Sequence, residues 1–186
     1  DLDQRDRDQV LVQFANKSCS VLVATDVAAR GLDIANLSAV INVDTTPDPE
    51  VYVHRVGRTG RAGATGKALS LVSMPEMGRV ARIEEQTGRA ARWQQLTQLS
   101  TGHAVLQAPM RTLQIAGGRK EKIRAGDILG ALTGEAGFDK AQVGKIALGE
   151  FSTYVAVDKA VAHQACDKLN AGRIKGKSVK VRLLPN

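Results

Sequence analysis

A chain of 186 residues that is 43% apolar with 3% aromatics has enough apolar surface for packed α/β folding, which excludes a disordered chain. Its net charge of +7 is unevenly placed: residues 1–102 hold 12 Lys and Arg against 12 Asp and Glu, whereas residues 103–186 hold 14 against 7. A neutral first part and a basic second part point to a scaffold joined to a domain that binds a polyanion, nucleic acid above all. Nothing approaches the 18 or more apolar residues in a row that cross a bilayer, and no charged-then-apolar leader opens the chain, so no membrane partner is expected. Cys19 and Cys166 belong to no Cys-x-x-Cys pair and no histidine cluster. Neither a metal site nor a disulfide framework is indicated, both cysteines are expected as core thiols, and a reducing cytoplasm is the default compartment. The chain starts at Asp1, inside an expected helix with no strand before it, which suggests a piece of a longer protein.

In chain order, residues 2–14 carry Val10, Leu11 and Phe14 at helical intervals. Short apolar strands are expected at 21–24 and 40–43. Pro47 and Pro49 mark a turn, with Pro49 suited to the first turn of a helix running towards His54. Residues 60–66 form a loop, 68–72 a strand and 75–86 a last helix. This alternation of strands and helices means a parallel sheet covered on both faces, with ligands at the carboxyl ends of the strands. Thr25 falls at such an end. Residues 97–109 lose periodicity and read as a linker. A second pattern follows: a strand at 111–115, a helix at 125–135, strands at 143–148 and 152–157, a helix at 160–169 and a strand at 178–184. That is the βαββαβ, ferredoxin-like order. The domains are therefore 1–96, an α/β parallel-sheet domain that is N-terminally truncated, and 110–186, with 97–109 between them.

Two dense clusters dominate the first domain. Thr25-Asp26-Val27-Ala28-Ala29-Arg30-Gly31-Leu32-Asp33 follows an apolar run, and His54-Arg55-Val56-Gly57-Arg58-Thr59-Gly60-Arg61 repeats arginine every three residues. Guanidinium groups are always charged and their planar forks fit phosphate oxygens, so arginines aimed into a cleft suit a transferred phosphoryl group. A plain basic surface helix has no use for the intervening glycines, which cost about 1 kcal/mol each in a helix interior.

These clusters resemble motifs V and VI in the second RecA-like domain of DEAD-box RNA helicases, and Gln4-Arg5-Asp6-Arg7 has the Gln-x-x-Arg form that the family places on its first helix. The resemblance implies that Arg58 and Arg61 face the γ-phosphate of ATP, with Arg61 as the arginine finger, and that Asp33 contacts the ribose. It further implies that Arg7, Thr25 and Gly31 touch the RNA backbone, while Arg30, His54 and Arg55 brace the interface between the two RecA-like domains. No Gly-x-x-x-x-Gly-Lys-[Ser/Thr] loop and no Asp-Glu-Ala-Asp run occurs in the sequence. Mg2+ would then be held by the missing N-terminal domain, and this chain alone is expected to hydrolyse no ATP.

In the second domain, alternation turns Leu113, Ile115, Val155, Val157, Val179, Val181 and Leu183 towards the helices, and leaves Gln114, Lys145, Ser152, Tyr154, Lys180 and Arg182 on an open face. RNA-recognition motifs carry aromatics on that face for stacking; here Tyr154 alone is aromatic, and either stacks a base or packs the sheet. Basic residues gather instead in loops, Arg119, Lys120, Lys122 and Arg124 before the first helix and Arg173, Lys175 and Lys177 before the last strand. Such side chains contact phosphates and read shape rather than bases.

The run from Gly117 to Asp127 and the ending Ile174-Lys175-Gly176-Lys177 resemble the RNA-binding domain of the DbpA subgroup of DEAD-box proteins. That resemblance implies recognition of a 23S ribosomal RNA hairpin and action on precursors of the large ribosomal subunit. Two other readings stay open: a non-catalytic RNA-binding adaptor built on a RecA-like remnant, and a helicase acting on DNA, which the form of motif V disfavours.

Overall fold

The computed structural model describes residues 2–26, 37–60, 65–98, 102 and 105–185. The chain divides into two compact units, one made of residues 25–103 and the other of residues 1–24 together with 104–186. Among the described residues no helix is long and apolar enough to cross a membrane.

In the unit of residues 25–103, β1 (Ala39–Asn42) and β2 (Lys67–Ser70) form a parallel pair, in register from Ala39 opposite Lys67 to Asn42 opposite Ser70. Parallel strands need a crossover, and α2 (Pro49–Val56) lies within it. The Asp48 carboxylate caps α2 by accepting from the Glu50 amide at 2.9 Å, Pro49 fills the first turn, and His54 and Arg55 sit in the last turn, where positive charge complements the helix dipole. The helix expected at 75–86 forms as α3 (Met77–Thr87), preceded by a single tight turn that the Ser73–Glu76 capping box closes. Gly88 stops α3 with a left-handed φ of 64°, its amide donating to Glu84 O.

The strand expected at 21–24 does not form. Val21 is 59% exposed and Val23 91% exposed, and the described residues offer it no neighbouring strand. An extended run becomes a strand only through ladder hydrogen bonds, and apolar composition alone does not supply them.

The other unit is the ferredoxin-like domain. Its elements are β3 (Met110–Ile115), α4 (Ala125–Gly130), β4 (Val143–Leu148), β5 (Thr153–Asp158), α5 (Ala162–Ala171) and β6 (Val181–Leu183). The strands lie in the order β4-β5-β3-β6 and every pairing is antiparallel. Residues 125–135, expected as one helix, begin as α4 and widen into a π turn over Ala131–Glu135. Leu113, Ile115, Val155, Val157 and Val181 pack against Ile128, Leu132, Ala162, Ala165 and Leu169, with Val179 and Leu183 at the margin. The alternation in the sequence therefore gives the correct inward face.

The opposite face is less open than expected. Helix α1 (Gln4–Ala15), capped by Asp3, belongs to this unit rather than to residues 25–103. Just beyond it, Asn16 Nδ2 donates to Thr112 Oγ1 at 2.9 Å, Thr112 Oγ1 lies 2.9 Å from Ser18 Oγ, and Gln13 Nε2 donates to Pro185 O at 2.7 Å. Thr112 is fully buried beneath this seam. The difference from the expected boundary has a physical origin in this seam, where three buried polar side chains satisfy one another and need no water.

Candidate functional site

The carboxyl end of the unpaired run 21–24 leads into Thr25 and Asp26, and Asp26 forms a close ion pair with Arg55. Arg55 Nε and Nη2 each donate to one Asp26 carboxylate oxygen at 2.6 Å, a two-pronged ion pair between the Thr25–Asp33 cluster and the arginine cluster. The same guanidinium donates from Nη1 to Asp44 O at 2.9 Å and to Asn42 Oδ1 at 3.3 Å. The hydrogen bond to Asp26 pushes the Arg55 pKa above its already high ordinary value. One side chain thus fastens α2 to the end of β1 and to the start of the Thr25 segment. The turn after α2 is fixed next: the Leu37 amide donates to Arg58 O at 3.0 Å, and the Thr59 hydroxyl donates to Leu37 O. Arg58, half-buried, leaves that turn.

Of the expected ATP, RNA-backbone and interface residues, Thr25, His54, Arg55 and Arg58 are described in this unit, with His54 exposed on α2. Arg30, Gly31, Asp33 and Arg61 lie outside the described residues. Arg7 lies exposed on α1, in the other unit. The sequence places Asp26 in the first cluster without giving it a role; its signal is a carboxylate one residue beyond an apolar run. Among the described residues, no group of His, Cys, Asp and Glu could hold a metal ion. Cys19 and Cys166 are both half-buried free thiols, and Cys166 packs against the core of the ferredoxin-like domain.

The basic loops of the ferredoxin-like domain come together. Lys175 Nζ donates to Lys122 O at 2.6 Å and stands 4.0 Å from the Asp127 carboxylate, which joins the loop before β6 to the loop before α4. Lys122 and Lys175 both hold left-handed backbone, with φ of 58° and 53°. Ile174 and Lys177 bridge across the tight turn that contains Lys175. Arg119, Lys120, Lys122, Arg124, Lys175 and Lys177 are all exposed. Their charges form one basic edge.

That edge leans on the β4–β5 turn. The Arg119 amide donates to Gly149 O and the Lys120 amide to Glu150 O, both at 3.0 Å. Gly118 is needed here, because a Cβ would lie 2.5 Å from Gly149 O, a backbone atom with nowhere to go. On the sheet face, Tyr154 Oη accepts from Gln114 Nε2 at 3.1 Å, and Gln114 Oε1 accepts from Arg182 Nε at 2.5 Å. Tyr154 is thus tied into a row of side chains that runs across β5, β3 and β6.

Comparison with known proteins agrees with both halves. Residues 1–63 match the helicase conserved C-terminal domain and residues 112–183 match the DbpA RNA binding domain. The ATP-dependent RNA helicase DbpA of Escherichia coli is 53% identical over 184 residues, covering 99% of this chain and 40% of that protein. The protein of the same name from Bacillus subtilis is 34% identical over 96% of this chain and 42% of its own length. Among solved structures, a DEAD box protein from Methanococcus jannaschii is 42% identical over 47% of this chain and 24% of that one, with a TM-score of 0.43. The class is therefore a helicase C-terminal domain followed by an RNA-binding domain. The chain corresponds to the C-terminal part of the DEAD-box RNA helicases that carry the DbpA RNA-binding domain. It spans about two fifths of the length of those two relatives.

Proposed function

We propose that this chain is the RNA-engaging part of an ATP-dependent RNA helicase that acts in the cytoplasm on a hairpin of 23S ribosomal RNA during assembly of the large ribosomal subunit. The observation that carries the reading is the basic edge fastened by the bond from Lys175 to Lys122, in a chain whose arginine cluster is held by Arg55 and Asp26. The donor set suits a triphosphate rather than a metal: the second cluster supplies guanidinium groups at Arg58 and Arg61, and Asp33 offers a carboxylate to a ribose hydroxyl. ATP, when bound, supplies the binding and hydrolysis energy of the unwinding cycle, and its Mg2+ belongs to residues of the other RecA-like domain. The work of this chain is to place Arg58 and Arg61 against phosphate charge, to contact the RNA backbone through Arg7, Thr25 and Gly31, and to meet its companion domain through Arg30, His54 and Arg55. The basic edge then holds the hairpin.

The test is a titration of the chain, at near-physiological salt, against a hairpin-bearing fragment of 23S ribosomal RNA and a shuffled hairpin of equal length. A preference of about tenfold, equivalent to about 1.4 kcal/mol, is the expected result; equal affinity removes the ribosomal assignment. ATP hydrolysis is expected only after the N-terminal RecA-like domain is added, and is lost again in Arg58→Ala. No hydrolysis once that domain is supplied favours the adaptor reading, and full activity in Arg58→Ala removes the role of Arg58 alone.

A further inference from the structure

We propose that Phe151, at the tip of the β4–β5 turn, is the platform on which an unpaired RNA base stacks. The inference rests on the RNA-binding reading above and names the contact that would separate looped from duplex RNA. Phe151 is 62% exposed, on a chain with few aromatics. Lys120 Nζ stands 4.7 Å from the centre of its ring, and Lys120 also approaches Glu150 at 3.5 Å. A large apolar ring set among charged side chains and glycine is poorly matched to an apolar protein surface. A nucleotide matches it, because a base offers a flat π face while its phosphates meet Arg119, Lys120 and Lys122.

The turn that carries the ring is also held in place before any ligand arrives. Gly149 N donates to Ser152 O at 2.8 Å, Thr153 Oγ1 donates to Gly117 O at 2.8 Å, and the amides of Arg119 and Lys120 bind the turn from the other side. The close approach of Gly118 to Gly149 locks the two loops together. A preorganised turn loses little backbone freedom when a base settles on its ring. The ammonium group of Lys120 beside the ring adds a cation–π contact to the stack.

The sheet face is committed elsewhere. Tyr154 is engaged by Gln114, Gln114 by Arg182, and Thr112 lies beneath Asn16 and Ser18. Stacking has therefore moved from the sheet to the turn.

The test uses the full chain with Phe151→Ala and Phe151→Trp, a hairpin RNA carrying 2-aminopurine in its loop, and a blunt RNA duplex with the same stem. Thermal melts of both variants establish that they fold. Phe151→Ala is expected to bind the hairpin about tenfold more weakly, with duplex affinity unchanged. Wild type and Phe151→Trp are expected to quench the 2-aminopurine, and Phe151→Ala to leave it bright. Unchanged hairpin binding by Phe151→Ala, or an equal loss on hairpin and duplex, overturns the stacking role while the RNA-binding reading stands. Failure of the wild-type chain to bind either RNA overturns both.

Discussion

At the scale of single residues, Arg55 shows why the identity of a cation matters. Its fork satisfies both oxygens of Asp26 and reaches Asp44 O as well, geometry that lysine cannot reproduce. Arg55→Lys is expected to weaken α2 locally by about 1–2 kcal/mol, a modest figure because the pair is partly open to water. Hydrogen exchange of the α2 amides should accelerate about tenfold in response. Asp26→Asn should do the same, and the double variant should add little, since either change dissolves the same pair. Cys166 gives a second expectation. Burial pushes its thiol pKa up, with Asp167 adding to the effect. A raised folded-state pKa means that this group contributes stability below the unfolded thiol pKa and loses it as pH rises through the folded value. At mildly alkaline pH, iodoacetamide should label Cys166 slowly in the native chain and quickly in denaturant, read by mass spectrometry of its peptide. Equal rates would show that the thiol is not protected. The sequence could place Arg55 in its cluster but could not pair it, because the partner lies 29 positions away and only the fold brings the two together.

At the scale of elements, the inward faces of β3, β5 and β6 were legible because a strand alternates strictly and the core accepts only one phase. Residues 21–24 misled for a related reason: Val-Leu-Val-Ala has strand composition, yet pairing is a property of the neighbour. The widening of α4 into a π turn at Ala131–Glu135 left no mark in the apolar spacing, which fits either helix. Nor could spacing reveal that Lys122 and Lys175 adopt left-handed backbone, a conformation costing an ordinary residue about 1–2 kcal/mol. That strain yields a separable prediction. Lys122→Gly should raise stability by about 0.5–1 kcal/mol, because glycine takes this φ without a Cβ clash and gives back part of the gain through its looser unfolded chain. The same change removes one exposed cation from the basic edge, so RNA affinity should fall and the salt slope of binding should shrink by about one. Denaturant unfolding and RNA titrations at several salt concentrations read the two effects apart. A loss of stability together with an unchanged salt slope would show that the lysine serves the fold rather than the RNA.

At the scale of the whole molecule, order along the chain and grouping in space differ. Residues 1–63 match one helicase family, yet residues 1–24 pack with residues 104–186. The charge division between first and second parts was readable from composition, whereas this grouping was not, because Asn16, Ser18 and Thr112 are ordinary polar residues until their hydrogen bonds are known. Thr112 is the centre of the seam, meeting both Asn16 and Ser18 through one hydroxyl. Thr112→Val keeps the branched shape and deletes that hydroxyl, leaving two buried polar groups without their shared partner at a cost of about 1–3 kcal/mol. Because the inward-facing core on the other side of β3 is untouched, the four-stranded sheet should survive the change. The loss should therefore appear in α1: its amides are expected to exchange about tenfold or more faster in Thr112→Val, while those of β3 and β5 keep their protection. Gln13, which reaches Pro185 O independently, should hold part of the helix in place, so Gln13→Ala combined with Thr112→Val should release α1 further than either change alone. Uniform exchange across α1 in all three variants would mean that the polar seam contributes nothing to holding the first residues against the sheet.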